Sequence, residues 1–300
     1  MRPIERSSRR VSQLPLLVVW LVTLAGAPAA LRAQSVPPPP DSLPQAHLPA
    51  IIVTATRSPA AAAAVASAVT VITRDEIERR QYRTVLDALR AVPGVAIAQA
   101  GWPGGATGVF LRGAAGDQTL VLLDGVQLND PSAPVAAYDL GTLPIDAVER
   151  IEIVRGPQGA LYGAHAMGGV IHILTRTGGE GPPRVGLTLE GGTFATAQGS
   201  AAVKEGGRAL QYALTASRRQ TDGISVADGP VATAAPERDA HDVTAVTARL
   251  AWRASERLAV RGSLHASSAD TEIDAEGRVG DDPNAAVHAG ERAGRVELEW

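Results

Sequence analysis

The chain has 300 residues, a formal net charge of -3, no cysteine and 3% aromatic residues. Its length accommodates two domains, its weakly acidic balance offers no basic surface for nucleic acid, and the lack of cysteine excludes disulfide frameworks and thiolate metal sites. Gly 31 and Pro 21 are frequent but aperiodic, which excludes a collagen-like chain, and the low aromatic content is below what the girdles of a membrane barrel usually bring.

At the N-terminus, Arg2, Arg6, Arg9 and Arg10 precede an apolar run from Leu14 to Ala25, and small residues follow up to Ala30-Leu31-Arg32-Ala33. A basic region, a short apolar core and a small residue before the cut predict a secretory signal over residues 1–33. The competing reading is a membrane anchor, for which the run is short and broken by Pro15 and Gly26. Arg9-Arg10 hints at twin-arginine export, but Val11-Ser12-Gln13 follows it, so ordinary export is expected.

Residues 34–48, with Pro37-Pro38-Pro39-Pro40, form an extended spacer that cannot build a core. Residues 49–57 contain the β-prone run Ile51-Ile52-Val53-Thr54-Ala55. An αβ region then spans residues 58–178. Ala68 to Thr73 alternates as a strand, and Arg74 to Arg80 and Thr84 to Ala91 read as helices. Val85, Leu86 and Leu89 supply the apolar stripe of the second helix, and Pro93-Gly94 stops it. Val109 to Arg112, Thr119 to Leu123, Arg150 to Val154 and Val170 to Thr175 are short strands between Gly, Asp and Pro turns.

After Gly178-Gly179 helical periodicity disappears. Val185, Leu187 and Leu189 alternate with Gly186, Thr188 and Glu190; Leu210, Tyr212 and Leu214 with Gln211, Ala213 and Thr215; Leu250 and Trp252 with small or basic residues. Leu264 faces away from Ser263 and His265, and Val296, Leu298 and Trp300 alternate with Arg295, Glu297 and Glu299. One apolar and one polar face over about ten residues suit a membrane barrel, although a soluble β-sandwich alternates in the same way. Tight turns at Gly206-Gly207 and Ala254-Ser255, against long acidic connections at Asp222 to Asp242 and Thr271 to Gly290, favour the barrel. The expected fold is an α+β domain followed, over residues 179–300, by the first antiparallel strands of a transmembrane β-barrel.

Several segments resemble the TonB-dependent outer-membrane transporters. Ile51 to Ala55 resembles the TonB box. Leu89-Arg90-Ala91-Val92-Pro93-Gly94-Val95, Val109-Phe110-Leu111-Arg112-Gly113, Val121-Leu122-Leu123-Asp124-Gly125-Val126 and Ile151-Glu152-Ile153-Val154-Arg155-Gly156-Pro157 resemble successive plug-domain motifs. So does Leu161-Tyr162-Gly163 with Ala166-Met167-Gly168-Gly169-Val170-Ile171. The order is the family's, and the spacing from Val95 through Gln99 to Arg112-Gly113, with Thr221-Asp222-Gly223, is most similar to the cobalamin branch; ferric-siderophore receptors share the plug motifs. The sequence departs at Pro49-Ala50, where an acidic residue and threonine are common, and at His172, where asparagine is usual.

The resemblance implies active import of a large, scarce nutrient across the outer membrane of a Gram-negative bacterium, with the plug gating the barrel and TonB and its inner-membrane complex supplying the energy. Ile51, Ile52, Val53, Thr54 and Ala55 are the expected TonB contacts. Arg112 and Arg155 match plug arginines that pair with barrel glutamates, a role suited to a guanidinium fork. Gln99, Trp102 and Gly104 on one plug apex, and Asp130 and Tyr138 on another, are the expected substrate contacts. No cofactor is required. Calcium is possible at Asp239, Asp274, Asp281 and Asp282, although Ser225 and Ile273 stand where family ligands occur, and solvated loop carboxylates explain the same cluster. Barrels of this family have about 22 strands, whereas about six fit between Gly181 and Trp300. An open sheet edge is not viable in lipid, so an N-terminal fragment of a longer transporter is expected.

Enzymatic readings fail on motif chemistry. Gly156 to Gly163 lacks the lysine and hydroxyl of a phosphate-binding loop, and no nucleophile elbow or paired-histidine zinc motif occurs. The rival from another class is a secreted β-rich adhesion or scaffold protein, in which Ile51 to Ala55 would be incidental.

Overall fold

A computed structural model describes residues 51–52, 60–61, 67–99, 107–129, 140–179, 181–224, 238–272 and 286–300. The expected signal and proline-rich spacer lie outside the described residues. All described residues belong to one unit, Pro49–Trp300.

Two short strands, β1 (Ile51–Ile52) and β2 (Ala60–Ala61), pair antiparallel. Next come β3 (Ala68–Thr73), α1 (Arg74–Arg80) and α2 (Val85–Arg90). The helices start where side chains can satisfy free amides. Thr73 Oγ1 accepts from the Glu76 amide at 3.3 Å, with Asp75 and Glu76 in the first turn. Thr84 and Asp87 form a reciprocal capping box, each contact 3.1 Å. Such caps are each worth about 1 kcal/mol. Gln81 in the left-handed region ends α1.

Strands β4 (Val95–Gln99) and β5 (Thr107–Leu111) form a separate antiparallel pair. The main plug sheet adds β6 (Thr119–Leu123), β7 (Val126–Gln127) and β8 (Val148–Arg155), then a short helix α3 (Gly159–Tyr162) and β9 (Gly169–Thr175). Its order is β3-β8-β9-β6-β7, with β6 and β9 parallel and the other neighbours antiparallel. One face holds Ile72, Ile151, Ile153, Ile171 and Ile173 against Ile77, Val85, Leu86 and Leu89 of the helices. The other face buries Leu120, Leu122 and Val170 with Ala166, against Tyr162. Burial on both faces explains why β6 reads as an unbroken apolar run.

The predicted change of texture after Gly178-Gly179 is a change of sheet. Strands β10 (Gly181–Gly191), β11 (Ala197–Gly206), β12 (Leu210–Thr221), β13 (His241–Arg253), β14 (Ala259–Glu272) and β15 (Ala286–Glu299) form an antiparallel meander in chain order. Their ladders put Val185, Val203, Leu214, Ala248, Leu264 and Gly294 in one cross-strand row. A row of opposite parity holds Thr188, Ser200, Ser217, Ala245, Ser267 and Glu291. The face of the first row points outward: Val185 is 78% exposed, Leu264 55% and Leu187, of the same parity, 70%, while His265 on the opposite face is 2% exposed. Among the described residues no second sheet covers the apolar face.

Strands of 10 to 14 residues exceed the roughly five or six of a sandwich and match the roughly ten needed to cross a bilayer. The alternation, the strand count and the tight turns agree with the sequence; Gly207 N donates to Leu210 O at 2.7 Å, and Ser255 N to Leu258 O at 3.2 Å. The long connections are shorter than their composition suggests. Thr271 and Glu272 are still in ladder with Val287 and Ala286, and Ser268 pairs with Gly290. Asp270 and Glu272 share the outward parity of Leu264 and are exposed, so the strand continues past its apolar stretch with charge on that face.

Candidate functional site

The coupling segment is described at Ile51 and Ile52, which oppose Ala61 and Ala60 in β1–β2. Its backbone is therefore extended and ladder-competent there. Val53, Thr54 and Ala55 lie outside the described residues.

Of the expected substrate contacts, Gln99 ends β4, where Arg90 Nη2 donates to its Oε1 at 2.7 Å. Arg90 Nη1 also meets Asp87 Oδ1 at 3.3 Å, so the capping box of α2 extends to the root of the apex. Trp102, Gly104, Asp130 and Tyr138 lie outside the described residues. Asp239 is 3% exposed, whereas Asp274, Asp281 and Asp282, with Ser225 and Ile273, lie outside the described residues. Among the described residues no three His, Asp or Glu side chains gather into a metal site.

Arg112 and Arg155 are neighbours on one edge of the plug. Arg112 adopts a positive φ of 51° after β5, and its amide donates to Gly94 O at 3.0 Å. Arg155 donates to Thr70 Oγ1 at 2.8 Å and to the carbonyl of Pro93. No carboxylate pairs with either arginine among the described residues. The Nε of Arg155 is buried without a hydrogen bond there, a donor suited to an incoming carboxylate.

The contacts that do join plug and wall come from residues that sequence reasoning missed. Arg83, between the two plug helices, forms an ion pair with Glu190 of β10. Gln198 Nε2 of β11 donates to Asp146 Oδ2 at 3.3 Å. Arg249 of β13 meets Asp124 Oδ1 at 3.0 Å and donates to the carbonyl of Thr175, also at 3.0 Å. Arg295 of β15 donates to the carbonyl of Asp124 at 3.4 Å. The alternation of the strands signals which residues face inward, and Arg249 and Arg295 are two of several basic residues on that face, with Arg219 and Arg261; their partner is not legible without the fold.

Where the chain passes from plug to wall, Gly178 lies tight against the barrel. A Cβ there would stand 2.6 Å from the Tyr212 amide and collide with the Glu205 carbonyl. Behind this junction the plug sheet carries a buried polar pair. Glu152 is fully buried with Arg150 Nε at 2.8 Å, and His172 stands opposite Glu152 across β8–β9. Desolvation lowers the His172 pKa, against the opposing pull of the Glu152 and Asp124 carboxylates, so its ring is neutral at physiological pH. A neutral hydrogen-bonding side chain is the common property of this histidine and the asparagine usual in the motif.

Residues 61–170 match the family model of the TonB-dependent receptor plug domain. Vitamin B12 transporters BtuB of Vibrio vulnificus are similar: 44% identity over 125 residues for strain YJ016, covering 42% of this chain and 20% of the relative. For strain CMCP6 the identity is 34% over 186 residues, covering 59% and 29% respectively. The chain thus spans less than a third of the length of these curated relatives. Among solved structures, the ferripyoverdine receptor of Pseudomonas aeruginosa superposes with a TM-score of 0.65 at 14% identity, over 83% of this chain and 34% of that one. A ferric enterobactin receptor of the same organism gives 0.54 at 24% identity, over 68% and 33%. At these identities the structural likeness establishes the fold alone, a plug-like αβ domain joined to antiparallel barrel strands, which among the described residues do not close on themselves.

Proposed function

We propose, for a chain that carries a TonB-dependent receptor plug domain joined to barrel strands, that it serves energised import of cobalamin or a closely similar nutrient across the outer membrane. The observation that carries this reading is the two-faced sheet, whose apolar rows face outward while its polar rows close on the plug. Such a wall suits lipid on one side and a plugged, aqueous lumen on the other. The similarity to vitamin B12 transporters, at 44% and 34% identity, supports cobalamin as the nutrient. A ferric siderophore is the second reading, favoured by the plug motifs that siderophore receptors share.

In this reading nutrient is captured by the apices around Gln99, Trp102 and Gly104 and around Asp130 and Tyr138. The outer membrane holds no ATP and no ion gradient, so work reaches the plug mechanically. Ile51 to Ala55 would add as a strand to TonB, where main-chain hydrogen bonds carry the load. Arg112 and Arg155 would meet carboxylates of further barrel strands, and the buried Nε of Arg155 supports that role. Calcium, if bound, would order the loops holding Asp239, Asp274, Asp281 and Asp282; oxygen-rich loops suit it. The protein acts as a transporter and not as an enzyme.

The test is uptake of labelled cyanocobalamin by cells that lack their own cobalamin receptor and produce the protein from its intact locus. We expect accumulation that disappears when TonB is deleted, and no accumulation of ferric siderophore. TonB-dependent siderophore uptake without cobalamin uptake would select the second reading. Failure of both would refute import.

A further inference from the structure

We propose that Asp124 is the anchoring residue by which the barrel wall holds the plug, in a latch closed by Arg249 and Arg295 from two separate strands. Asp124 and Gly125 form the two-residue turn between β6 and β7, with φ of 49° and 86°. Left-handed values at both positions belong to the tight hairpin turn that favours Asp-Gly. The turn aims the Asp124 carboxylate back along the sheet at the end of β9. There Oδ1 accepts from the Thr175 amide at 3.0 Å and Oδ2 from the Thr175 hydroxyl at 2.6 Å. Arg249 completes the shell at 3.0 Å from Oδ1, and its second bond, to the Thr175 carbonyl, ties the same plug strand to the wall. Arg295 reaches the Asp124 carbonyl from β15.

Burial separates this contact from the other ionic link between plug and wall. Arg83 and Glu190 have side chains 65% and 33% exposed, so solvent screens them. Asp124 is 5% exposed, and its charge is compensated by fixed donors on both sides of the junction. Removing one partner from such a pair leaves a desolvated charge, which is far costlier than losing a surface pair. The latch also borders a cavity of about 280 Å³, lined by Asp124, Thr177, Gly178, Arg249, Arg261 and Arg295, at the point where the plug chain enters the wall. The latch therefore holds the last plug strand at its junction with the wall and sets how readily that strand leaves the barrel. The consequence for gating rests on the import reading; the anchoring itself does not.

Amide hydrogen exchange of the full chain in detergent micelles tests the anchor without reference to uptake. Arg249→Gln keeps the Thr175–Asp124 hydrogen bonds and removes the latch. We expect exchange at the β9 amides of Ile173 and Thr175 to accelerate about tenfold or more, with β12–β13 unchanged. Asp124→Asn should do the same, and the double variant should add little to either. Arg218→Gln, which breaks the exposed pair with Asp242, should leave β9 as it was. Unchanged β9 exchange in Arg249→Gln, or single effects that multiply in the double variant, would overturn the proposal. If Asp124→Asn fails to fold, Arg249→Gln and Arg295→Gln decide it alone by the same readout.

Discussion

On the proposed import reading, which assigns coupling and nutrient binding to different parts of the chain, replacing Ile52 by proline in the intact protein is expected to reduce nutrient uptake to background while surface binding of the nutrient stays within about twofold of wild type. Proline removes the amide of residue 52 and fixes its φ. A strand that docks by main-chain hydrogen bonds then loses a donor in the middle of a short ladder. Ile52 is ladder-paired in the structure, opposite Ala60, so its backbone already adopts the extended form that such docking needs. The proposed nutrient contacts, around Gln99 to Gly104 and Asp130 to Tyr138, are remote from this segment in sequence. Val53→Pro should behave identically. The measurement is paired: labelled nutrient bound to cells at low temperature, then accumulated on warming. Undiminished accumulation by either variant would sink the coupling role of Ile51 to Ala55.

Gly169→Ala should cost roughly 4 kcal/mol, the sum of a backbone conformation reserved for glycine and a packing collision. Gly169 opens β9 with φ of 149°, between β8 on one side and β6 on the other. A Cβ there would run into the carbonyl of Val154, and it would lie 2.7 Å from Leu111 Cδ1 and 3.3 Å from the Arg155 Cα. Two of those neighbours are backbone atoms of a paired strand, so the methyl has nowhere to go. Gly163 supplies the internal control. Its φ is 83° and its ψ −171°, but nothing lies within 4 Å of the point a methyl would occupy, so Gly163→Ala should lose the backbone contribution alone, about 2 kcal/mol. Chemical denaturation of the two variants against wild type reads the difference. Equal losses would show that the close approach at Gly169 carries no weight.

Much of the fold was legible because it depends on local periodicity. Leu86 and Leu89 marked α2, Thr84 its start and Pro93-Gly94 its end. Val185, Leu187 and Leu189 marked the outward face of β10, and the same parity persists across the six-stranded sheet. The pairing of β4 with β5 was not read, since Val95 to Gln99 is short and its partner lies beyond the glycine-rich apex. Strand ends at Glu272 and Ala286 were missed for a different reason: acidic and small residues look like loop until a neighbouring strand supplies the ladder.

The site was less legible than the fold because its contacts span long separations. Val121 to Val126 announces a turn at Asp124-Gly125, but nothing local shows that Thr175, Arg249 and Arg295 converge on it. The plug–wall ion pairs expected from Arg112 and Arg155 direct attention to plug arginines. Among the described residues the ionic links join the plug carboxylate Asp124 to the wall arginine Arg249, and the plug arginine Arg83 to Glu190 of the wall. The Nη1 and Nη2 of Arg155 are engaged within the plug by Pro93 and Thr70, partners whose carbonyl and side chain announce no such role in sequence, while its Nε has no hydrogen bond among the described residues.

A six-stranded sheet that serves as a membrane wall, with the plug against its polar face, must show lipid one set of side chains and water the other. The chain has no cysteine, so single cysteines introduced one at a time give unambiguous labels. Leu187 and Leu264 point outward, and Thr188 and Ser263 lie on the opposite parity. Fluorophores at the first two positions, in outer-membrane vesicles from cells making the protein, should be quenched by a lipid-soluble quencher and shielded from a water-soluble one. Labels at Thr188 and Ser263 should show the reverse. Water-soluble quenching at Leu187 and Leu264 would contradict the membrane wall and return the soluble β-rich scaffold as the better description.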